Sequence, residues 1–180
     1  MELVTARLRI DALRPDDAAA LFALRSDPVV ARYQGWCPAD LDAARAFIER
    51  QSPAAVPCGW FQRAIRLRDD GTLIGDLGVN LPGDAMESVE FGISLVPTGQ
   101  GRGYAGEALR ALFDQVFGPL GRHRIHASVD PRNLACIALL RALGMRQEAH
   151  HRESLWLHGE WVDDMVFALL VHEWRIRTGH

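Results

Sequence analysis

The chain has 180 residues, of which 48% are hydrophobic and 24% are charged, and its formal net charge is −3. This is the composition of a soluble globular domain, and it excludes proteins that bind nucleic acid through a basic surface. The longest apolar run, Met165 to Val171, is too short to span a membrane, and the first residues lack a secretory signal pattern. We therefore expect a single cytoplasmic domain over residues 1–180 that interacts with neither nucleic acid nor membrane.

The composition excludes several kinds of chemistry. All 20 basic residues are Arg. A chain without lysine forms no lysine Schiff base, and it has neither a Walker-type phosphate lysine nor a lysine general base. Its three cysteines, Cys37, Cys58 and Cys136, are odd in number and widely spaced, which is typical of reduced thiols.

Hydrophobic periodicity predicts a strand, two helices and an antiparallel hairpin in the first half of the chain. Proline near the start of each helix and the turn Asp69-Asp70-Gly71 mark their boundaries. In order, the predicted elements are a strand at Arg7–Leu13, a helix ending near Arg25, a helix at Pro38–Gln51, and strands at Trp60–Leu67 and Thr72–Leu81.

A polar and aromatic cluster, Tyr33, Gln34 and Trp36, lies in the predicted loop between the two helices. Aromatic residues on loops often line ligand sites, but Tyr33 and Trp36 could equally cap the edge of the core. We weigh the two interpretations evenly. If the first holds, the substrate pocket lies at this loop and at the loop from Asn80 to Glu87.

The segment from Ser88 to Ala108 begins with an alternating strand. In strand geometry one face carries Val89, Phe91, Ile93 and Leu95, while Glu90, Gly92 and Ser94 share the other. The strand therefore places its single carboxylate on the less apolar face.

A glycine-rich turn follows this strand. Pro97 ends regular pairing, and Gly99, Gly101 and Gly103 remove side chains that would keep a ligand away from the backbone. A helix is predicted to begin at about Tyr104. Because the first amides of a helix lack intrahelical partners and lie at the positive end of its dipole, this turn is suited to an anion, most plausibly phosphate.

The remainder of the chain predicts two more helices, a strand and a hairpin. A wide apolar stripe indicates a helix from Tyr104 to Gly118, and Gly144 is placed to cap the second helix. The strand between them should lie parallel to the strand before the turn, because a helix connects the two. The later elements are a strand at Arg124–Val129, a helix from Asn133 through Leu143, and strands at Met145–Leu157 and Glu160–Leu170.

Two motifs fit the turn. Residues 101–106 match G-x-G-x-x-G, the fingerprint of dinucleotide-binding oxidoreductases, but the predicted antiparallel strands before it argue against that fold. Residues 100–105 resemble the Q/R-x-x-G-x-G/A signature with which the GNAT superfamily of N-acetyltransferases holds acetyl-CoA.

The resemblance to GNAT enzymes covers nearly the entire chain. Residues 90–97 are similar to the strand that precedes the cofactor turn in the RimJ/RimL-type branch, and residues 130–133 through 143–145 to its next motif. Residues 159–163 resemble its closing hairpin, and residues 5–9 its start. The resemblance implies an α/β (α+β) fold whose mixed, largely antiparallel sheet is splayed at the motif strand, with helices on both faces.

The same resemblance implies where acetyl-CoA binds. The pantetheine arm would pair with the backbone of Leu95 and Val96, and Asn133 corresponds to an asparagine that contacts CoA, although it could also cap a helix. The pyrophosphate would take the turn, whose residues are Gln100, Gly101, Arg102, Gly103, Tyr104, Ala105 and Gly106.

Transfer of acetyl to an amine requires a neutral amine, a polarised carbonyl and a stabilised thiolate. Glu90 is the candidate base, acting directly or through water, and a backbone amide near Leu95 or Val96 is the candidate donor to the carbonyl. Many GNAT enzymes have Tyr where this chain has Leu140, and RimJ/RimL-like members commonly have Ser where it has Cys136. The candidate acid is therefore the Cys136 thiol, with solvent or a small apolar filler role as alternatives.

Histidines add one option. His126 should share a strand face with Arg124 and Ser128, and it could relay protons near Glu90, although we favour a solvent-facing or capping role. The other histidines show no zinc spacing, so we assign no metal. The expected acceptor is a protein N-terminus or a small amine, and a homodimer is left open. A CoA-binding sensor without catalysis and a dinucleotide-binding oxidoreductase are the alternatives.

Overall fold

A computed structural model describes residues 1–51, 58–83 and 88–179. Within these ranges the strands form one sheet in the order β1-β2-β3-β4-β5-β6-β8-β7. The strands are β1 (Leu3–Val4), β2 (Leu8–Ala12), β3 (Gly59–Leu67), β4 (Leu73–Leu81), β5 (Val89–Leu95), β6 (Arg124–Val129), β7 (Arg146–Leu157) and β8 (Glu160–Leu170). The helices are α1 (Ala18–Ser26), α2 (Pro28–Ala31), α3 (Leu41–Glu49), α4 (Tyr104–Phe117), α5 (Leu134–Ala142) and α6 (Val171–Thr178).

Most predicted elements are confirmed to within a few residues, but β1, α2 and α6 were not predicted. The strand β1 has only two residues, which is too short for an alternation to be visible. The helix α6 lacks an apolar stripe: Trp174 is buried, whereas Ile176 is 81% exposed. Tertiary contacts hold this helix: Trp174 Nε1 donates to Asp114 Oδ1 at 2.9 Å, the indole packs against Phe113, and Arg177 NH2 donates to Ala142 O at 2.7 Å.

The sheet is mixed and largely antiparallel, as predicted. Among the described strands only β5 and β6 pair in parallel, and their register contains just Val89↔Ile125 and Glu90↔His126. From Phe91 onward β5 has no pairing with β6, so the two strands diverge and the sheet opens between them. A dinucleotide-binding fold needs a series of parallel strands, and the oxidoreductase alternative is therefore excluded.

Helices cover both faces of the sheet because both faces carry apolar side chains. The larger cluster joins α4, α5 and α6 to one face, and Phe113 of α4 packs against Phe91 of β5 with ring centroids 5.5 Å apart. The smaller cluster joins α1 and α3 to the opposite face through residues such as Leu21, Ile48 and Ala64. In the three described ranges, no helix combines the length and apolar character needed to cross a membrane.

Candidate active site

The backbone of β5 presents free polar groups to the opening between β5 and β6. The Val96 amide donates to Ile74 O at 2.9 Å, which makes these residues a hydrogen-bonded pair of the β4–β5 ladder. Because such pairs alternate along an antiparallel ladder, Ser94 also faces β4, while the amide and carbonyl of Ile93 and Leu95 face the opening. An extended ligand lying in the opening can therefore pair with β5 as an additional strand.

Two residues predicted to bind the cofactor, Val96 and Gln100, also organise the end of β5. Besides the amide bond to β4, the Val96 carbonyl accepts from the Gly99 amide at 2.8 Å, so both backbone groups of Val96 are occupied. The Gln100 side chain donates from Nε2 to Leu95 O at 3.1 Å. The Val96 amide is therefore not directed into the opening, whereas the Leu95 amide is.

The turn after β5 exposes the start of α4. Gly101 and Gly103 have φ values of 72° and 81°, a left-handed conformation that strains any residue with a Cβ. The first amide of this helix region with a backbone acceptor is that of Glu107, which donates to Gly103 O at 3.1 Å. Among the described residues, the amides of Tyr104, Ala105 and Gly106 have no such acceptor, and they form the predicted anion site.

An arginine braces this turn from the N-terminal segment. Arg7 Nε donates to Glu107 Oε2 at 2.7 Å, Arg7 NH1 donates to Arg102 O at 3.0 Å, and the guanidinium lies 4.6 Å from the Tyr104 ring centroid. Burial would raise the pKa of Glu107, but hydrogen bonds from Thr5 and Arg7 lower it overall. No local pattern in the sequence predicts this brace, although Thr5 and Arg7 belong to the initial segment that resembles GNAT enzymes.

The opening is bounded on one side by the backbone of β5 and on the other by the start of α5, which follows β6. Asn133 Oδ1 accepts from the Cys136 amide at 3.1 Å, so the helix-capping role of Asn133 is observed. This bond uses the side-chain oxygen and leaves the amide nitrogen of Asn133 as a donor. Burial raises the pKa of the Cys136 thiol to about 11, so this group stays protonated at neutral pH.

Glu90 and His126 lie side by side where β5 and β6 last pair. They are register partners, and His126 Nε2 is 4.0 Å from Glu90 Oε2. Burial lowers the pKa of His126 below its ordinary value despite the opposing charge of Glu90. The two side chains are 26% and 30% exposed, so both reach solvent at the edge of the opening.

The sheet beside Glu90 has an open floor on the face covered elsewhere by α1 and α3. Gly92 of β5 contributes no side chain there, whereas the Gln62 side chain of β3 covers its register partner Gly78, with Nε2 and Oε1 2.9 Å from where a Cβ would project. A Cβ placed on Gly92 would have no described atom within 4 Å. Space for an acceptor therefore exists next to Glu90.

The aromatic loop has divided roles. Tyr33 Oη donates to Arg132 O at 3.2 Å and so connects the loop to the segment before α5. Gln34 Oε1 accepts from Arg25 NH1 at 2.9 Å, and Trp36 stacks on Phe47 with ring centroids 4.3 Å apart. Trp36 therefore packs against α3, while Tyr33 is the residue of this loop that contacts the segment before α5. Residues 84–87 of the other predicted substrate loop are outside the described ranges.

The hairpin β7–β8 reaches the same region. At its tip His158 Nε2 lies 3.0 Å from Ala31 O, and Glu160 Oε1 accepts from Arg132 NH1 at 2.8 Å. With the contact of Tyr33, these bonds connect α2 and the aromatic loop to the β6–α5 side of the molecule. No group of three or more His, Cys, Asp or Glu in the described ranges is arranged to hold a metal ion.

The sequence that builds this site matches a known protein family. The family described as acetyltransferase (GNAT) domain matches residues 7–146. The uncharacterized N-acetyltransferase p20 of Bacillus licheniformis is 30% identical over 173 residues, which cover 96% of this chain and 97% of that protein. The ribosomal protein uS5-alanine N-acetyltransferase of Escherichia coli (strain K12) is 32% identical over 84 residues, which cover 47% of this chain and 43% of that enzyme.

Solved structures show the same fold. The crystal structure of a GNAT-family acetyltransferase from Bacillus anthracis has a TM-score of 0.85 at 24% identity and covers 96% of this chain and 99% of that one. The family match includes β5, the glycine turn, α4, β6 and α5, which are the elements that build the site. The chain therefore belongs to the GNAT family of acetyltransferases and is an acyltransferase.

Proposed function

We propose that the protein transfers acetyl directly from acetyl-CoA to a primary amine, without a covalent enzyme intermediate. The observation that carries the proposal is the position of the Glu90 carboxylate at the point where β5 and β6 diverge, beside the open floor at Gly92. A carboxylate there can receive a proton from an amine that enters from the floor, while an acyl donor lies in the opening.

The residues around the opening fit acetyl-CoA. The free amides at the start of α4 would hold its pyrophosphate, and the left-handed Gly101 and Gly103 let the backbone approach closely. The backbone of Ile93 and Leu95 would pair with the pantetheine arm, and Asn133 would donate from its side-chain nitrogen. Acetyl-CoA supplies an activated acyl thioester. The Leu95 amide is the donor we assign to its carbonyl oxygen, in place of the amide of Val96.

This chain departs from its family's usual side chains at the group that would protonate or stabilise the departing thiolate. Because burial raises the pKa of the Cys136 thiol to about 11, it is a weaker acid than an ordinary thiol and is poorly matched to protonating a departing thiolate. It can still donate a hydrogen bond to the sulfur. We therefore assign Cys136 to stabilising the thiolate and assign its protonation to water.

The acceptor is a protein N-terminus or a small amine. The similarity to the uS5-alanine enzyme supports a protein N-terminus and the RimJ/RimL-type branch, although it extends over about half of each chain. The loop with Tyr33, Gln34 and Trp36 would form one side of the acceptor pocket. Of these residues Tyr33 is the best placed, because Trp36 is engaged with Phe47 and Gln34 with Arg25. A cytoplasmic location belongs to the same proposal.

A thiol-release assay tests the proposed function. Purified protein would be given acetyl-CoA with peptides that begin in alanine or serine, free amino acids, polyamines and aminoglycosides, and free CoA would be measured. We expect release with at least one class of primary amine and a mass increase of one acetyl group on that acceptor. Binding of acetyl-CoA without release for any acceptor would instead favour the sensor without catalysis.

A further inference from the structure

One row of side chains crosses the sheet at the end of the β5–β6 pairing. Asn80 of β4 is the register partner of Glu90, Glu90 of His126, and His126 of Ala168 in β8. Directly paired residues share one face of a sheet, so Glu90 and His126 are directed to the same side. Their separation of 4.0 Å exceeds a hydrogen bond but is within reach of a small side-chain rotation.

The surroundings of His126 keep it able to accept a proton. Burial lowers its pKa, Glu90 opposes this shift, and Arg124 on the same strand adds to it. Arg124 is itself paired with Glu148 of β7, with NH2 and Oε2 2.8 Å apart. On β8 the nearby carboxylate is Asp164, which Ser128 Oγ contacts. The Val89 backbone and the Glu148 carboxylate also favour the imidazolium, but burial outweighs them, so the pKa of His126 stays below its ordinary value and the imidazole is neutral at neutral pH.

The proton balance of the proposed reaction calls for more than one acceptor. An amine enters as an ammonium with three protons on nitrogen and leaves as an amide with one. The nitrogen–carbon bond forms, the carbon–sulfur bond breaks, and the sulfur retains the bonding electrons and takes one proton. The second released proton must reach solvent. The nitrogen loses its two protons one after the other. A single carboxylate would have to release the first proton before it could accept the second, whereas a neutral imidazole beside it can take the first proton from it.

We propose that His126 is a positioning and relay residue whose Nε2, the nitrogen facing Glu90, accepts from Glu90 the proton taken from the acceptor amine and then releases it to water at the exposed edge of the opening. This role rests on the proposed function, and it goes beyond it by assigning a partner to the base. It does not require His126 to contact the substrate, because the contact is made through Glu90.

The coupling of the two groups can be tested without substrate. Nuclear magnetic resonance would follow the histidine ring signals against pH in the wild type and in Glu90→Gln, with His126→Gln used for assignment. We expect His126 to titrate below about 6.5, the ordinary histidine value, and to titrate lower still in Glu90→Gln, because the charge that stabilises the imidazolium is gone. An unchanged titration would overturn the pairing, whether or not an acceptor has been found.

The relay itself is tested by kinetics with the best acceptor. Since a placed proton-transfer group contributes about 10²–10⁴-fold and His126 shares this task, we expect kcat/KM of His126→Gln to fall about 10-fold to 10²-fold at pH 7.5. The acidic limb of the pH profile should also change, because the imidazole no longer contributes to it, and added imidazole should restore part of the rate to His126→Ala. His123→Gln, an exposed position just before β6, is the matched control and should match the wild type.

The outcomes distinguish failure of the His126 relay from failure of the proposed acetyltransferase activity. A normal rate and an unchanged pH profile in His126→Gln would overturn the relay while leaving the acetyltransferase intact. A lower rate with an unchanged profile and no imidazole rescue would make His126 merely structural, and would also overturn it. Absence of acetyl transfer by the wild type, with the titrations coupled as expected, would instead contradict the proposed function.

Discussion

Arg25 and Asp76 form an ion pair in the interior that joins α1 to β4, with Arg25 Nε 3.0 Å from Asp76 Oδ2. The carboxylate is fully buried and the guanidinium nearly so. The same Arg25 holds Gln34, so the pair also fixes the loop proposed to face the acceptor. Removal of one member of such a pair leaves the other charged and buried, which costs more than the pair contributes.

Asp76→Ala should therefore be severely destabilising. We expect the free energy of unfolding, measured in urea, to fall by about 3–5 kcal/mol, the usual cost of breaking a buried pair. Asp42→Ala breaks the exposed pair with Arg45 and is the control, with an expected loss within about 1 kcal/mol. Equal losses in the two variants would show that burial of the Arg25 pair has no energetic consequence.

Glu90→Gln should remove the base without disturbing the fold. The side chain is about a third exposed and its replacement has nearly the same volume, so the melting temperature should not change. With a responsive acceptor, turnover at pH 7.5 should fall by at least about 10²-fold, as expected for loss of a general base. Glu49→Gln, an exposed carboxylate at the end of α3, serves as the control. Wild-type turnover in Glu90→Gln would remove Glu90 from the mechanism.

Gly101→Ala should weaken acetyl-CoA binding, whereas Gly121→Ala, which introduces a similar backbone strain elsewhere, should not. Gly101 has a φ of 72° and open space where a Cβ would project. Gly121 has a φ of 60° and equally open surroundings, but it lies far along the chain from the cofactor turn. Both Ala variants should lose about 1–2 kcal/mol through left-handed strain. Only Gly101→Ala should raise the Kd for acetyl-CoA in calorimetry, and similar Kd values in both variants would contradict the assignment of the turn.

Stability should decrease in acid because of buried carboxyls such as Asp17. Its oxygens accept from Arg66 NH1 and NH2 at 2.7 Å each. Burial would raise the pKa of Asp17, but the hydrogen bonds from Arg66 and from the Arg14 backbone lower it overall. A carboxyl with a lowered pKa in the folded state stabilises the protein above its unfolded pKa, about 3.9 for Asp, and this contribution is lost as pH falls through the folded value.

The measurement is urea unfolding at a series of pH values from 7 to 2.5. The wild type should lose stability progressively below about pH 4, where Asp ordinarily titrates. Asp17→Asn should be less stable at neutral pH and should show a shallower decline. A decline of the same steepness in both proteins would assign the acid sensitivity to other groups, among them Glu107 and Asp130, whose pKa values are also lowered.

Much of the site is visible in the sequence because its signals are local. Alternation along β5 places Glu90 and Phe91 on opposite faces of the sheet. The glycine spacing predicts both the left-handed turn and the helix that follows it. These patterns depend on φ angles and side-chain direction within a few residues. The helix α6 was not predicted for the converse reason, since it is held by tertiary contacts of Trp174, Glu173 and Arg177 and not by its own periodicity.

The sequence by itself determined the order of the elements, the parallel relation of β5 and β6, and the residue types at the cofactor turn. Only the tertiary structure decided which groups are free to act. The Val96 amide is occupied because of the register between β4 and β5, and that register leaves the Leu95 amide directed into the opening. His126 lies beside Glu90 because the register of the parallel pairing makes them partners, and both are accessible because the pairing ends there. Register depends on contacts between segments distant in the chain, and no local pattern specifies it.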